Sequence, residues 1–573
     1  MSTFLKWLAS LGLLGLLLLV LLIIAATAHF DRGPSAGVLR VVLDGSIPEA
    51  PPSEFMHMVG GAQQVSLLRL STAIRRAARD KDILGLVLDI KAPEVGLAVA
   101  QELEEAMAVF RKSGKWNAAY LDTVGEITAG TLPYALAVSA DNIVVGPVGD
   151  VNLAPPQAHV PFLRGTFDKL DIEPYFDKRQ DYKTAANMFT HTEFTEAHKA
   201  SVKSLMDDLQ DQLITHIAQR RDKDAAEVRQ WFVDGNIAGA DAVHRGLIDE
   251  LAYRDVFAER AREVAKGEED FWVDVGDYAR DDPDTSGDAT FGVIFVDGMI
   301  MRGGDDGDDG GSTAGAAVIA QAFRSAREAK VQGILLRISS PGGSYVASDI
   351  IRREVARTRK AHIPVVVSMG HVAASGGYFI AMDGDEIVAD GATLTGSIGV
   401  YAGFFATRRF LRDVLGVSFG EYNPMPEAEP LSFLDPPSDR VRQRLASTLD
   451  RVYDDFVGKA AKSRNMSEDA MHAAAQGRVW SGNQALALGL VDKVGGVGVA
   501  LAALATRAGL EPTTQPHLRV FPKPPGLFAT LRHLLAFETR AVGGVRRMMA
   551  LWQQAGLGKS AAALTMQPLQ IGW

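Results

Sequence analysis

Ile363-Pro364-Val365-Val366-Val367-Ser368-Met369-Gly370-His371-Val372-Ala373-Ala374-Ser375-Gly376-Gly377-Tyr378 is the stretch around which the chain is organised. Its opening apolar run, Ile363–Val367, reads as a fully buried strand, and Tyr378-Phe379-Ile380-Ala381-Met382 reads as the start of a helix. Between them a serine sits among small residues, where a tight turn presents its hydroxyl. The helix start behind it offers backbone N–H groups to a developing negative charge. Close packing alone would also explain such a turn, so the reading depends on the rest of the chain.

The same pattern occurs twice. Val38–Gly45 returns as Phe291–Gly298, and Ile83–Ile90 as Gln332–Ile338. Tyr134–Ala137 with Asp141–Val144 returns as Tyr378–Ala381 with Asp385–Val388, and Gly246–Asp249 as Gly489–Asp492. The offsets are 253, 248, 244 and 243 residues, a slow drift that a few short insertions produce. This is an internal duplication. Buried-looking strands alternate with amphipathic helices such as Ala317–Lys330 and Ser348–Lys360, which predicts an α/β fold with a largely parallel core. Each copy closes with a long helical tract, Glu196–Arg221 or Ser438–Arg464. The expected domains are a first copy over 38–255 and a second over 290–505.

At 573 residues the chain exceeds one ordinary core. With 47% hydrophobic and 23% charged residues it is globular, and a net charge of −11 argues against nucleic acid as the main partner. The absence of cysteine excludes disulfides, thiolate metal sites and a cysteine nucleophile. Trp7–Ala28 holds 22 uncharged residues, about 33 Å as a helix, so residues 1–30 read as a membrane anchor. A cleaved signal peptide ending near Ala26-Thr27-Ala28 is the competing reading. Lys6 on its N-terminal side places the body outside the cytoplasm, in a bacterium the periplasm. The run Gly303–Gly311 reads as a solvated loop, because no glutamate follows in register for a calcium site. From Leu518 to Lys559 seven Lys/Arg face one acid, Glu538. The tail 518–573 is therefore expected to lie on an anionic membrane surface or to cover another subunit.

The copies differ where chemistry would sit. Ser339-Ser340-Pro341-Gly342-Gly343-Ser344 follows a strand in the second copy, whereas the first has Lys91-Ala92-Pro93-Glu94-Val95-Gly96. Gly342 and Gly343 allow backbone N–H groups close to a substrate oxygen, which Glu94 and Val95 would obstruct. Ser375-Gly376-Gly377 faces Thr131-Leu132-Pro133, and Pro133 has no N–H to give. A hydroxyl nucleophile needs a base, and no lysine occurs from Ala361 to Gly458. The first copy carries Lys183 in Tyr182-Lys183-Thr184-Ala185-Ala186.

Ser-Pro-Gly-Gly at 340–343, Ala-Ala-Ser-Gly-Gly-Tyr at 373–378, Leu394–Val400 and Gly477-Arg478-Val479-Trp480-Ser481-Gly482 together resemble the signal peptide peptidase A (protease IV) family in its long, two-copy form. The resemblance implies a tandem Clp protease/crotonase-like fold behind an N-terminal transmembrane helix. It makes Ser375 similar to the nucleophile, Lys183 to the general base and Ser397 to the serine that hydrogen-bonds the lysine. Gly376 with Gly342 or Gly343 would supply the oxyanion donors. Lys-Thr-Ala at 183–185 departs from the commoner Lys-Ser-Ala. The expected activity is serine endopeptidase cleavage of signal-peptide remnants and other apolar peptides, by a homotetramer at the bacterial inner membrane, without metal or cofactor. A crotonase-like acyl-CoA enzyme, a catalytically silent membrane scaffold and a Ser–His–Asp triad using His371 are the alternatives.

Overall fold

The computed structural model describes residues 36–51, 65–126, 128–280, 289–303 and 313–522. The expected anchor, most of the glycine–aspartate loop and the tail beyond Pro522 lie outside them. No helix among the described residues is long and apolar enough to cross a membrane.

Two largely parallel sheets carry the chain, and the orders of their six parallel strands match one for one. The first runs 250–251, 142–145, 116–121, 83–93, 37–45, 272–274. The second runs 493–494, 386–389, 365–374, 333–340, 290–297, 517–521, with 394–396 and 479–480 added beside the far end of 365–374. Strands such as Gly333–Ser340 are buried along their whole length because helices cover both faces, which is why they read as unbroken apolar runs. Side-chain contacts repeat as well. Tyr134 Oη donates to Leu247 O at 2.7 Å and Tyr378 Oη to Leu490 O at 2.9 Å. Asp249 and Asp492 each accept from a strand N–H, of Ile143 and Ile387, and pair with Arg221 and Arg464.

Both copies extend beyond their expected limits. Trp272–Asp274 pairs with the first strand of copy one, so that copy runs past 255. Leu518–Phe521, expected to open the basic tail, instead forms an edge strand beside Thr290–Asp297. The alternating His517-Leu518-Arg519-Val520-Phe521 supplies a half-buried edge, with Phe521 inward. The apolar run from Ile363 continues as one strand, Val365–Ala374, so His371 stands on a strand and not on a turn. The following helix begins at Gly376.

The copies pack directly on one another. The first-copy helix Leu67–Ala77 and the second-copy helix Val497–Arg507 share an apolar cluster that includes Leu68, Phe291, Val366 and Leu504. Gly496 N donates to Glu105 Oε2 at 2.7 Å, and Ala392 N to Gln101 Oε1 at 2.8 Å. At the centre, Arg337 of the second copy reaches Glu49 Oε2 at 2.9 Å and Glu102 Oε2 at 2.7 Å, both from the first.

Candidate active site

Both loops that build the site leave the carboxyl ends of neighbouring parallel strands, 333–340 and 365–374. In parallel sheets this end opens a crevice where strand partners change. Here strand 365–374 pairs with 386–389 through Met369 and with 394–396 from Val372 onward. The chain then turns sharply at Ser375, whose φ of 52° and ψ of −114° are unusual for a residue with a side chain. Its N–H donates to Gly396 O at 2.9 Å, and its carbonyl accepts the first helical bond from Phe379 N at 2.9 Å. These bonds hold the hydroxyl out of the sheet end.

The Ser-Pro-Gly-Gly loop is pressed against this turn. A Cβ on Gly342 would lie 2.8 Å from Ser375 Cβ, and one on Gly376 would lie 2.6 Å from Ser348 Oγ. Gly343 bridges Ile300 in parallel fashion, through Ile300 N to Gly342 O and Ser344 N to Ile300 O. That pattern leaves Gly343's own N–H unbonded to Ile300, and its nitrogen lies 3.1 Å from where a Cβ on Gly376 would stand. Gly342's N–H, by contrast, donates to Ser340 Oγ at 3.2 Å. Of the three glycines expected as oxyanion donors, Gly342 therefore supplies room, and the N–H groups of Gly343 and Gly376 flank Ser375.

Lys183 arrives from the other copy. The first-copy strand Glu173–Lys178 pairs antiparallel with Tyr401–Ala406 of the second, and Arg179 N continues to Val400 O at 2.9 Å. Lys183 follows on the loop and is only 3% exposed. Its Nζ lies 3.1 Å from Ser375 Oγ, 3.0 Å from Ser397 Oγ and 2.8 Å from Ser397 O. The contact forms within a single chain. Burial alone lowers the amine from 10.5 to about 7. A neutral amine has two N–H donors and one lone pair, and three contacts match that inventory. Ser397 O and Oγ take the two donors, leaving the lone pair for the Ser375 proton. A pocket of about 20 Å³ beside Ser375 is walled by Tyr345, Phe379, Val400, Val452 and Phe456.

The profile of Peptidase family S49 matches residues 111–268 and 357–511, one segment in each copy. The chain belongs to this family. Protease 4 of Salmonella typhi is 32% identical over 84% of this chain and 78% of that protein. The chloroplastic serine protease SPPA of Arabidopsis thaliana is 30% identical, over 82% and 69% respectively. A putative signal peptide peptidase SppA of Enterococcus faecium is 37% identical over 29% of this chain and 48% of that one. This S49 peptidase is thus a serine protease, with Lys183 in the first matched segment and Ser375 in the second.

Residues that sequence reasoning did not assign complete the S49 site. Gly477, with φ of 75°, lies against the lysine backbone, and a Cβ there would stand 2.5 Å from Lys183 Cβ. Ser397 N donates to Arg478 O at 2.7 Å, and the Arg478 guanidinium lies over the rings of Tyr182 and Trp480 at 5.1 and 4.2 Å. The Gly-x-Val-Trp motif was the visible signal; its partner, almost 300 residues upstream, was not. Gly477→Ala is expected to displace Lys183 and lower kcat about 10²-fold with KM little changed, because misplacement by about 1 Å costs that much. Steady-state kinetics on a peptide ester checks it. His371, the alternative base, faces elsewhere: its Nδ1 lies 2.8 Å from Ser339 Oγ. In the first copy Thr131 Oγ1 donates to Ala154 O at 2.8 Å and accepts from Ala154 N at 2.9 Å, which ties its hydroxyl to the backbone.

Proposed function

We propose that the protein is a membrane-anchored serine endopeptidase in which Ser375 and Lys183 act as a dyad on cleaved signal peptides and other apolar peptides. The observation that carries this is the buried Lys183 Nζ, 3.1 Å from Ser375 Oγ. No acidic group acts to raise its proton affinity. Neutral Lys183 takes the Ser375 proton as Oγ bonds to the peptide carbonyl carbon. The carbonyl oxygen becomes an oxyanion held by the Gly343 and Gly376 N–H groups, each worth about 10²–10³ in rate. Protonated Lys183 then gives its proton to the leaving amine, the C–N bond breaks and an acyl-enzyme remains. Water, deprotonated by Lys183, adds to the ester carbon and releases the acid with Ser375 restored. Ser397 orients the amine throughout.

The small apolar pocket supports cleavage after small apolar side chains, and the likeness to a putative signal peptide peptidase of Enterococcus faecium supports signal peptides as substrates. The apolar segment 7–28 supports an anchor in the bacterial inner membrane with the body in the periplasm. A homotetramer on a Clp protease/crotonase-like scaffold accords with the family resemblance. The test is a serine-reactive fluorophosphonate followed by peptide mapping. Label is expected on Ser375 in the wild type and none in Lys183→Ala. Undiminished label in Lys183→Ala would remove the lysine as base, and an unlabelled, folded wild type would favour a silent scaffold.

A further inference from the structure

A second cleft, of about 270 Å³, opens where the two copies meet, far in sequence from the catalytic loops. Its first-copy wall is the helix Leu67–Ala77 with the turn after it, and its second-copy wall is the helix Val497–Arg507 with the loop 512–516. Four arginines line it, Arg69, Arg75, Arg76 and Arg79, and no acidic residue does. In a chain of net charge −11 that concentration is against the grain. The spacing 69, 72, 76 puts Arg69, Thr72 and Arg76 on one helical row, with Arg75 beside Arg76 and Arg79 in the turn that follows. Ordinary structural work occupies two of them: Arg75 pairs with Glu105 at 2.7 Å, and the Arg76 guanidinium lies 4.0 Å over the Tyr278 ring. Arg69 and Arg79 are exposed and make no ion pair among the described residues.

The opposite wall is chemically different. Thr513, Thr514 and Gln515 supply hydroxyl and amide donors, while Leu501, Ala502 and Leu518 are apolar. Guanidinium forks with hydroxyl donors are the recognition set for phosphate oxygens, and an adjoining apolar wall suits a short hydrocarbon body.

We propose that this cleft binds a phosphate group, with its apolar wall receiving the body of a phosphate-bearing amphiphile. A ligand seated there touches both copies at once. It stabilises their junction by mass action, by an amount that grows with the logarithm of the free ligand concentration above Kd. That junction is the one across which Lys183 reaches Ser375.

The test uses the full chain in detergent and follows binding by calorimetry and the thermal transition. The probes are inorganic phosphate and dihexanoylphosphatidylglycerol below its micellar concentration. The variant is Arg69→Gln with Arg79→Gln, two exposed side chains outside the catalytic machinery, so unliganded peptidase activity stays at the wild-type level. The expected result is saturable binding that raises the transition temperature of the wild type and is about tenfold weaker in the double variant. Tighter binding of the lipid upholds both the phosphate site and the apolar wall's role; equal affinity upholds the phosphate site, identifies the free ion as the source and overturns the amphiphile. No binding of either probe, or binding undiminished in the variant, would overturn the phosphate site. Binding that appears only after Asp281, Asp282, Asp284 and Asp288 are changed to Asn would also overturn it, by assigning the cleft to the chain's own acidic run.

Discussion

Lys183→Met is expected to lose about 10⁴-fold or more in kcat/KM while becoming more stable than the wild type at neutral pH. In the proposed mechanism the loss follows from removing the group that receives the Ser375 proton. Ser375→Ala should fall at least as far, and the double variant no further, because the two act as a unit. The gain follows from burial. Lys183 sits in a site that lowers its amine from 10.5 to about 7 by desolvation alone. At pH 7 the unfolded chain therefore holds a proton that the folded chain half releases, and this costs the folded state about 4 kcal/mol. For a depressed folded value, the contribution is fully restored only above about 10.5 and is lost as pH falls through about 7. Lys183→Met should thus exceed the wild type most at pH 7 and below, and the curves should converge toward pH 10.5. The same titration sets activity: kcat/KM of the wild type should rise through a limb near pH 7 as the amine deprotonates. A limb near pH 10, or a Lys183→Met enzyme that keeps more than about 1% activity, would remove the lysine from the mechanism.

The strands and the duplication were legible because they are local. Apolar runs, turn residues and a repeat near 245 residues need no knowledge of distant contacts, and the matching strand orders of the two sheets follow from them. The serine turn was legible for the same reason. Lys183 was reachable only by comparing copies, through the lysine-free stretch 361–458, and by family resemblance. What stayed hidden depends on residues hundreds apart. Gly477 makes room for a backbone almost 300 residues upstream, and nothing near it in sequence announces that. The strand Leu518–Phe521 was masked by the basic residues around it, although its alternation is that of an edge strand. A further signal lay in the aligned strands themselves. Asp89 and Arg337 occupy corresponding positions in two otherwise apolar runs, with opposite charge. Asp89 is held within its own copy by Arg40 at 3.1 Å and Arg254 at 2.8 Å. Arg337 donates to Ser368 Oγ of its own copy at 2.9 Å but takes both its ion-pair partners, Glu49 and Glu102, from the other copy.

That difference makes Arg337→Ala the most damaging substitution outside the catalytic loops, at about 3–5 kcal/mol near pH 8. The guanidinium is 3% exposed, Glu49 8% and Glu102 1%, so removing it strands two buried carboxylates. One cation cannot neutralise all the acids around it. For Glu49, burial is outweighed by Arg337 and His371, which hold it at about 2. For Glu102, burial prevails over Arg337, with Glu49 adding to it, and lifts the group to about 7; Asp390 is likewise raised, chiefly by burial. The signs then differ by residue. Glu49 contributes stability above its ordinary value of 4.5, lost as pH falls through about 2. The proton on Glu102 contributes fully below 4.5 and is lost as pH rises through about 7. Glu102→Gln should therefore abolish a decline in wild-type stability between about pH 4.5 and 7. Arg337→Ala should be worse at pH 8, where the stranded acids must ionise, than at pH 5, where Glu102 keeps its proton. Urea midpoints at the two pH values decide it, and an equal shift at both would mean the cluster carries no buried charge. Because these contacts join the copies, and Lys183 meets Ser375 only across the copies, peptidase activity of Arg337→Ala should fail at lower urea than its far-UV circular dichroism.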